Sequence, residues 1–155
     1  MRWRWNGILA LLWLAMALPA AAGTGRVLKV LPELLDKGGK TSLYPSLYER
    51  DAYQAMLRQH PALVSGIRFY VQWRTKAPIW ERLRIRLEMR GGAQGNLASQ
   101  IALEKPVPTR SGLLGQWTAI TLDGDPYKKF GSVSAWRVTL WEGGKLLGEQ
   151  KSFLW

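Results

Sequence analysis

The sequence of 155 residues contains no cysteine and one histidine, His60. Without cysteine there can be no disulfide, no thiol nucleophile, no thiolate zinc site and no lipid anchor on an N-terminal cysteine. With one histidine, imidazole general-base chemistry would rest on a residue beside Pro61, at the end of a helix-like stretch. At a helix end its charged form would sit well on the dipole, which suits a surface residue. Acidic residues are also few. Eleven Asp and Glu stand against 22 Lys and Arg, for a net charge of +11. A balance of that sign favours acidic partners: anionic glycans, lipid headgroups, nucleic acid or acidic proteins.

A long apolar run is missing too. Ile8–Leu18 is uncharged, but it is short against the ~20 residues needed to cross a bilayer. Arg2 and Arg4 precede it, Pro19 breaks it, and Ala20-x-Ala22 offers small residues for cleavage. That order is the secretory signal pattern. Trp3 separates the two arginines, so it is not a twin-arginine signal. The expected organisation is a signal peptide at 1–22 and a single domain at 23–155. Export sets nucleic acid aside as an expected partner. The mature part keeps about +9 once Arg2 and Arg4 are removed. Stability without disulfides must come from apolar burial, and six tryptophans beyond residue 22 make such a core plausible.

Past the signal, Val27–Leu31 predicts a short strand ended by Pro32, and Asp36-Lys-Gly-Gly-Lys40 a turn. Ser46 and Glu49 have capping-box spacing, and a helix over residues 49–59 stops before Pro61. Tyr48, Ala52 and Met56 share its expected buried face, with Leu57 beside it. From Gly66 the period changes to two. Ile67, Phe69, Val71 and Trp73 alternate with Arg68, Tyr70, Gln72 and Arg74. Leu83, Ile85, Leu87 and Met89 alternate with Arg82, Arg84, Arg86, Glu88 and Arg90. This is half-buried strand patterning. Further strands are expected at 97–103, 116–122 and 136–141, the last joined through Gly143-Gly144 to 145–155 as a hairpin. Tyr127–Phe130 suits one helical turn. The fold class that follows is mainly β: an immunoglobulin/fibronectin-like β-sandwich of about seven strands, with one helix between the first and second strands.

The candidate site is basic. With the apolar residues inward, Arg68, Tyr70, Arg74, Arg82, Arg84, Arg86 and Arg90 face out. Arginine forks bind carboxylate, sulfate and phosphate in pairs of hydrogen bonds. If the two strands pair as a hairpin the patch is continuous; if they cross between sheets it splits in two. The linker Ala77–Glu81 permits either. The plainer reading of the same residues is a solvated sheet face. Trp141 and Trp155 are either exposed contact residues or covered by the helix. Asp123-Gly-Asp125 before Pro126 reads as a turn, because no calcium loop of spaced acids follows. Gly91, Gly92 and Gly95 lack the lysine and following helix of a phosphate loop. No cofactor or metal is expected.

Three segments, Ser46–Tyr53, Ala135–Trp141 and Glu149–Trp155, together resemble a family of uncharacterised exported bacterial proteins. The similarity spans the mature chain. It implies an immunoglobulin-like sandwich and an envelope setting, and carries over no active site. The expected function is a non-catalytic envelope module whose basic surface meets an anionic polymer or another envelope protein. Two alternatives stand beside it. One is a hydrolase-type enzyme with an Asp/Glu/Ser/Lys site. The other is an outer-membrane β-barrel, which seven strands fit poorly. The last strand could also be an exposed edge that pairs with another chain.

Overall fold

Alternation of period two carries most of the chain into strands, and two short helices bridge them. The computed structural model describes residues 24–76, 79, 81–92 and 98–155. Residues 1–23, which include the expected signal peptide, the linker residues Ala77, Pro78 and Trp80, and residues 93–97 lie outside the described residues. The elements are β1 (Thr24–Asp36), α1 (Leu47–Gln59), a short 3-10 turn (Pro61–Leu63), β2 (Val64–Lys76), β3 (Leu83–Gly92), β4 (Ala98–Val107), β5 (Gln116–Asp123), α2 (Gly124–Phe130), β6 (Ser132–Glu142) and β7 (Lys145–Lys151). They form two antiparallel sheets, ordered β1-β2-β5 and β4-β3-β6-β7, facing each other as a sandwich.

The odd-numbered residues of β2 and β3 make the core. Phe69, Val71, Trp73, Leu83, Ile85, Leu87 and Met89 are almost fully buried, together with Val138 and Leu140 of β6. Burying such a side chain contributes roughly 1.5–3 kcal/mol. The indole N–H of Trp73 would be costly to bury unpaired, and it donates to Thr118 Oγ1 at 2.9 Å. Phe69 meets Trp136 edge to face, with centroids 6.0 Å apart.

Both lateral sides are drawn together locally. A Cβ on Gly148 would stand 3.0 Å from Arg26 Cα and 3.0 Å from the Gly25 carbonyl oxygen, so β7 approaches β1 at backbone distance. Across the sandwich, Lys105 of β4 donates to the Ala119 carbonyl of β5 at 2.9 Å. At Gly66, paired with Asp123, a Cβ would lie 2.7 Å from the Leu122 carbonyl oxygen. Only glycine lets β2 and β5 meet there.

Several boundaries differ from those expected. β1 does not stop at Pro32 but runs to Asp36, and β4 includes Pro106. Both are edge strands, where one side needs no ladder donors and proline is admitted. Gly124–Phe130 is a single helix, where a turn followed by one helical turn was expected. β7 ends at Lys151, short of Trp155. In the β6–β7 hairpin Gly143 has φ +52°, the sign required at the first central position of a type II′ turn.

The helix α1 docks through Gln54 and Leu57. Ser46 is the N-cap residue, but its side chain makes no cap hydrogen bond, so the capping box with Glu49 is not formed. Tyr48 is 83% exposed and Ala52 is exposed, while Gln54 and Leu57 are buried. Of the expected face, Leu57 is buried and Met56 half-buried while Tyr48 and Ala52 stay exposed; the buried residue outside it is Gln54. The reason is the open edge of β1. Gln54 Oε1 accepts from the Leu34 N–H at 2.7 Å, and Gln54 Nε2 donates to the carbonyls of Leu34 at 2.9 Å and Thr41 at 2.7 Å. A side-chain amide thus replaces a neighbouring strand and blunts the edge. Beside it, the Tyr53 hydroxyl donates to Asp36 Oδ2 at 2.6 Å. That bond, helped by the backbone N–H groups of Lys40 and Gly38, holds the Asp36 carboxyl below the usual carboxylate range.

Two outcomes follow. Gly66→Ala should destabilise the fold by about 1–3 kcal/mol through overpacking against β5, read as a lower urea midpoint; an unchanged midpoint would contradict the close approach. Because the Asp36 pKa is depressed on folding, its contribution is present above the unfolded value of about 3.9 and lost as pH falls through the folded value. Tyr53→Phe should therefore lower stability near neutral pH and narrow the gap between neutral and acid-limb midpoints, whereas an unaltered gap would show the bond to be inert.

Candidate functional site

Because β2 and β3 belong to opposite sheets, their even-numbered side chains point away from each other. The seven basic-site residues do not form one patch. Arg68, Tyr70 and Arg74 lie on the outer face of the β1-β2-β5 sheet. Arg84, Arg86 and Arg90 lie on the outer face of the β4-β3-β6-β7 sheet, and Arg82 is exposed just before β3.

The second-sheet arginines are already engaged. Arg84 and Arg86 each reach Glu104 at 3.5 Å, and Arg86 reaches Glu88 at 3.5 Å. Arg137 of β6 gives Glu88 Oε2 two bonds, from Nε at 2.9 Å and Nη2 at 2.7 Å. Glu88 is nearly buried, so this pair is the strongest of the set. Arg84 donates to the Gly143 carbonyl at 2.6 Å and lies 5.6 Å from the Trp141 ring centre. Arg90 stacks on Trp155 at 4.0 Å, with Arg137 at 5.1 Å from the same ring. The two tryptophans are thus half-covered by guanidinium groups on the outer face. They do not lie under α1, which packs against β1 of the other sheet. Strand parity sends Trp141 outward, and cation–π stacking covers it there.

The first-sheet cations have no such partners. The rows across β1 and β2 read Arg26–Arg74, Lys29–Gln72, Leu31–Tyr70 and Glu33–Arg68, with Thr24–Lys76 at the end. Trp117 of β5 continues the Gln72 row and is half-exposed. Glu33 is the one acid in these rows, and Arg50 of α1 takes it at 3.4 Å. Arg26, Lys29, Arg68, Arg74 and Lys76 make no ion pair with any described residue. Arg68 bonds only Thr121 Oγ1 at 3.1 Å and the Tyr70 hydroxyl at 3.4 Å, and Arg74 only the Leu113 carbonyl at 3.4 Å. Arg26, Arg74 and Lys76 line one depression of about 230 Å³ with Thr24 and Gly25. Like charges placed directly across a strand pair repel, so Arg26 opposite Arg74 is an unfavourable arrangement that an anion would relieve.

Sequence parity missed Arg26, Lys29 and Trp117. The β1 register shifts between Val27 and Lys29, and this bulge puts an even and an odd residue on the same face. A straight alternation count cannot pass through such a bulge.

The remaining candidates are locally satisfied. The His60 ring Nδ1 lies 2.9 Å from the Met56 carbonyl at the end of α1. Asp125 pairs with Lys128 at 3.6 Å. Among the described residues, no group of three or more His, Cys, Asp or Glu could hold a metal ion. No helix among them is long and apolar enough to cross a membrane. No protein-family model matches this chain, and neither a curated protein nor a solved structure does.

The asymmetry between the faces has a stability signature. Arg137→Met should cost about 1–3 kcal/mol, because it strips the paired donors from a nearly buried carboxylate. Arg68→Met on the other face should stay within about 0.5 kcal/mol. Urea denaturation of both variants checks this, and equal losses would contradict the contrast.

Proposed function

We propose that this is an exported, non-catalytic binding module of the bacterial envelope, and that its anion-binding face is the outer surface of the β1-β2-β5 sheet. The observation that carries the reading is the set of five cations, Arg26, Lys29, Arg68, Arg74 and Lys76, without a carboxylate partner among the described residues. Tyr70 and Trp117 lie between them and offer flat rings to a sugar or acyl surface. The partner is an anionic envelope polymer: arginine forks match its carboxylate, sulfate or phosphate groups, and a repeating polyanion meets several rows at once. The export signal at 1–22 and the resemblance to exported proteins support a periplasmic or secreted setting.

The sandwich is of immunoglobulin or fibronectin type on this reading. Its support is the strand order, in which the second and fifth strands pair in one sheet and the third, sixth and seventh in the other. The charged outer faces and apolar interior argue against a lipid-facing barrel, which needs an apolar band outside.

A binding screen with salt titration tests the function. The exported protein is offered acidic glycans, lipopolysaccharide, peptidoglycan and anionic vesicles. One polymer should bind at physiological salt, and Arg26→Glu/Arg74→Glu should abolish that binding while Arg84→Glu/Arg86→Glu largely spares it. Weak binding to every polymer that vanishes with salt, or loss only in the second variant, would overturn the assignment.

A further inference from the structure

The sandwich stays open on one side, where β7 stops. β7 pairs with β6 only from Arg137 onward, and Ser152 takes up the Trp136 backbone N–H and carbonyl. The first residues of β6, from Ser132, extend past that partner. Between them and the β1–α1 edge lies a cleft of about 420 Å³, a volume typical of small-molecule sites.

We propose that this cleft binds a small amphipathic anion, an acyl chain of medium length ending in a carboxylate. The walls are apolar: Leu34, Leu57, Ile67, Val133 and Trp136 line it. The polar lining is mostly spent. Gln54 is committed to the backbone of Leu34 and Thr41, Ser152 Oγ to Trp136, and Ser134 Oγ to the Arg90 carbonyl. A ligand rich in polar groups would find few partners here. Besides the hydroxyl of exposed Ser132, two groups stay available. The Tyr127 hydroxyl has no hydrogen-bond partner among the described residues, and exposed Arg58 has no ion pair there. No Asp or Glu lines the cleft itself, and Glu33 and Asp51, which line the adjoining depression that shares Arg58, are both taken by Arg50. Chemistry thus selects an apolar body with one negative end, seated with the chain against half-buried Leu34, Val133 and Trp136 and the head toward Arg58. The site is separate from the basic sheet face and does not depend on it.

Decanoate, decanol and decyltrimethylammonium are the probes, titrated into the protein by calorimetry and by the indole N–H resonance of Trp136. Decanoate should saturate one site and move that resonance. Decanol should bind about tenfold more weakly, the equivalent of one charge-assisted bond, and the cation should not bind. Val133→Trp, which fills the cleft, and Arg58→Glu, which reverses the charge at its mouth, should each weaken decanoate by at least about tenfold. Arg26→Glu/Arg74→Glu should leave it unchanged. If Val133→Trp does not unfold cooperatively, Arg58→Glu and the Trp136 resonance decide. Absence of saturable binding, a Trp136 resonance that does not move, or loss of binding only in the basic-face variant would overturn the proposal.

Discussion

Phe69, Val71 and Trp73 of β2 meet Leu83, Ile85, Leu87 and Met89 of β3 across the interior, and everything else is arranged around that contact. Both strands alternate without interruption through these residues. Once their apolar sides face each other from opposite sheets, period two sends their arginines in opposite directions. One basic sequence block becomes two outer faces, and each then solves its charge differently.

On the β4-β3-β6-β7 face the solution is internal. Glu88 and Glu104 are threaded among Arg84, Arg86 and Arg137, and Trp141 and Trp155 lie beneath stacked guanidinium groups. Exposed ion pairs contribute little one by one, so the set matters chiefly for the nearly buried Glu88 and for covering indole surface. On the β1-β2-β5 face the one acid of the β1–β2 rows, Glu33, is taken by Arg50 of α1, and repulsion within the rows is left for solvent ions or a ligand to relieve. A partner that binds there would stabilise the folded state by mass action. The open cleft is a second consequence of construction: β7 is shorter than β6, and α1 covers β1 without filling the space behind it.

The strands were legible because their apolar and polar residues alternate over long stretches with glycine and proline between them. The two sheets of a sandwich followed from that pattern. What alternation does not encode is partner choice, so whether β2 and β3 formed a hairpin or faced each other could not be read from either strand. The β1 bulge hid Arg26 and Lys29 by breaking parity. Helical apolar spacing pointed to Leu57, which is buried, but also to Tyr48 and Ala52, which are exposed, because the need of an edge strand for hydrogen bonds turned Gln54 inward. Parity already placed Glu88 beside Arg86 on one face of β3, but only the pairing of β3 with β4 and β6 brings Glu104 to Arg84 and Arg86 and Arg137 to Glu88.

The most direct measurement is chemical-shift mapping of the folded protein titrated with inorganic pyrophosphate, a small anion that no polymer geometry constrains. Uncompensated charge on the first face predicts saturable shifts at Arg26, Lys29, Arg74 and Lys76, with Arg84, Arg86 and Arg137 nearly still. Shifts concentrated on the Glu88 ladder, or spread evenly over every surface arginine, would contradict the account.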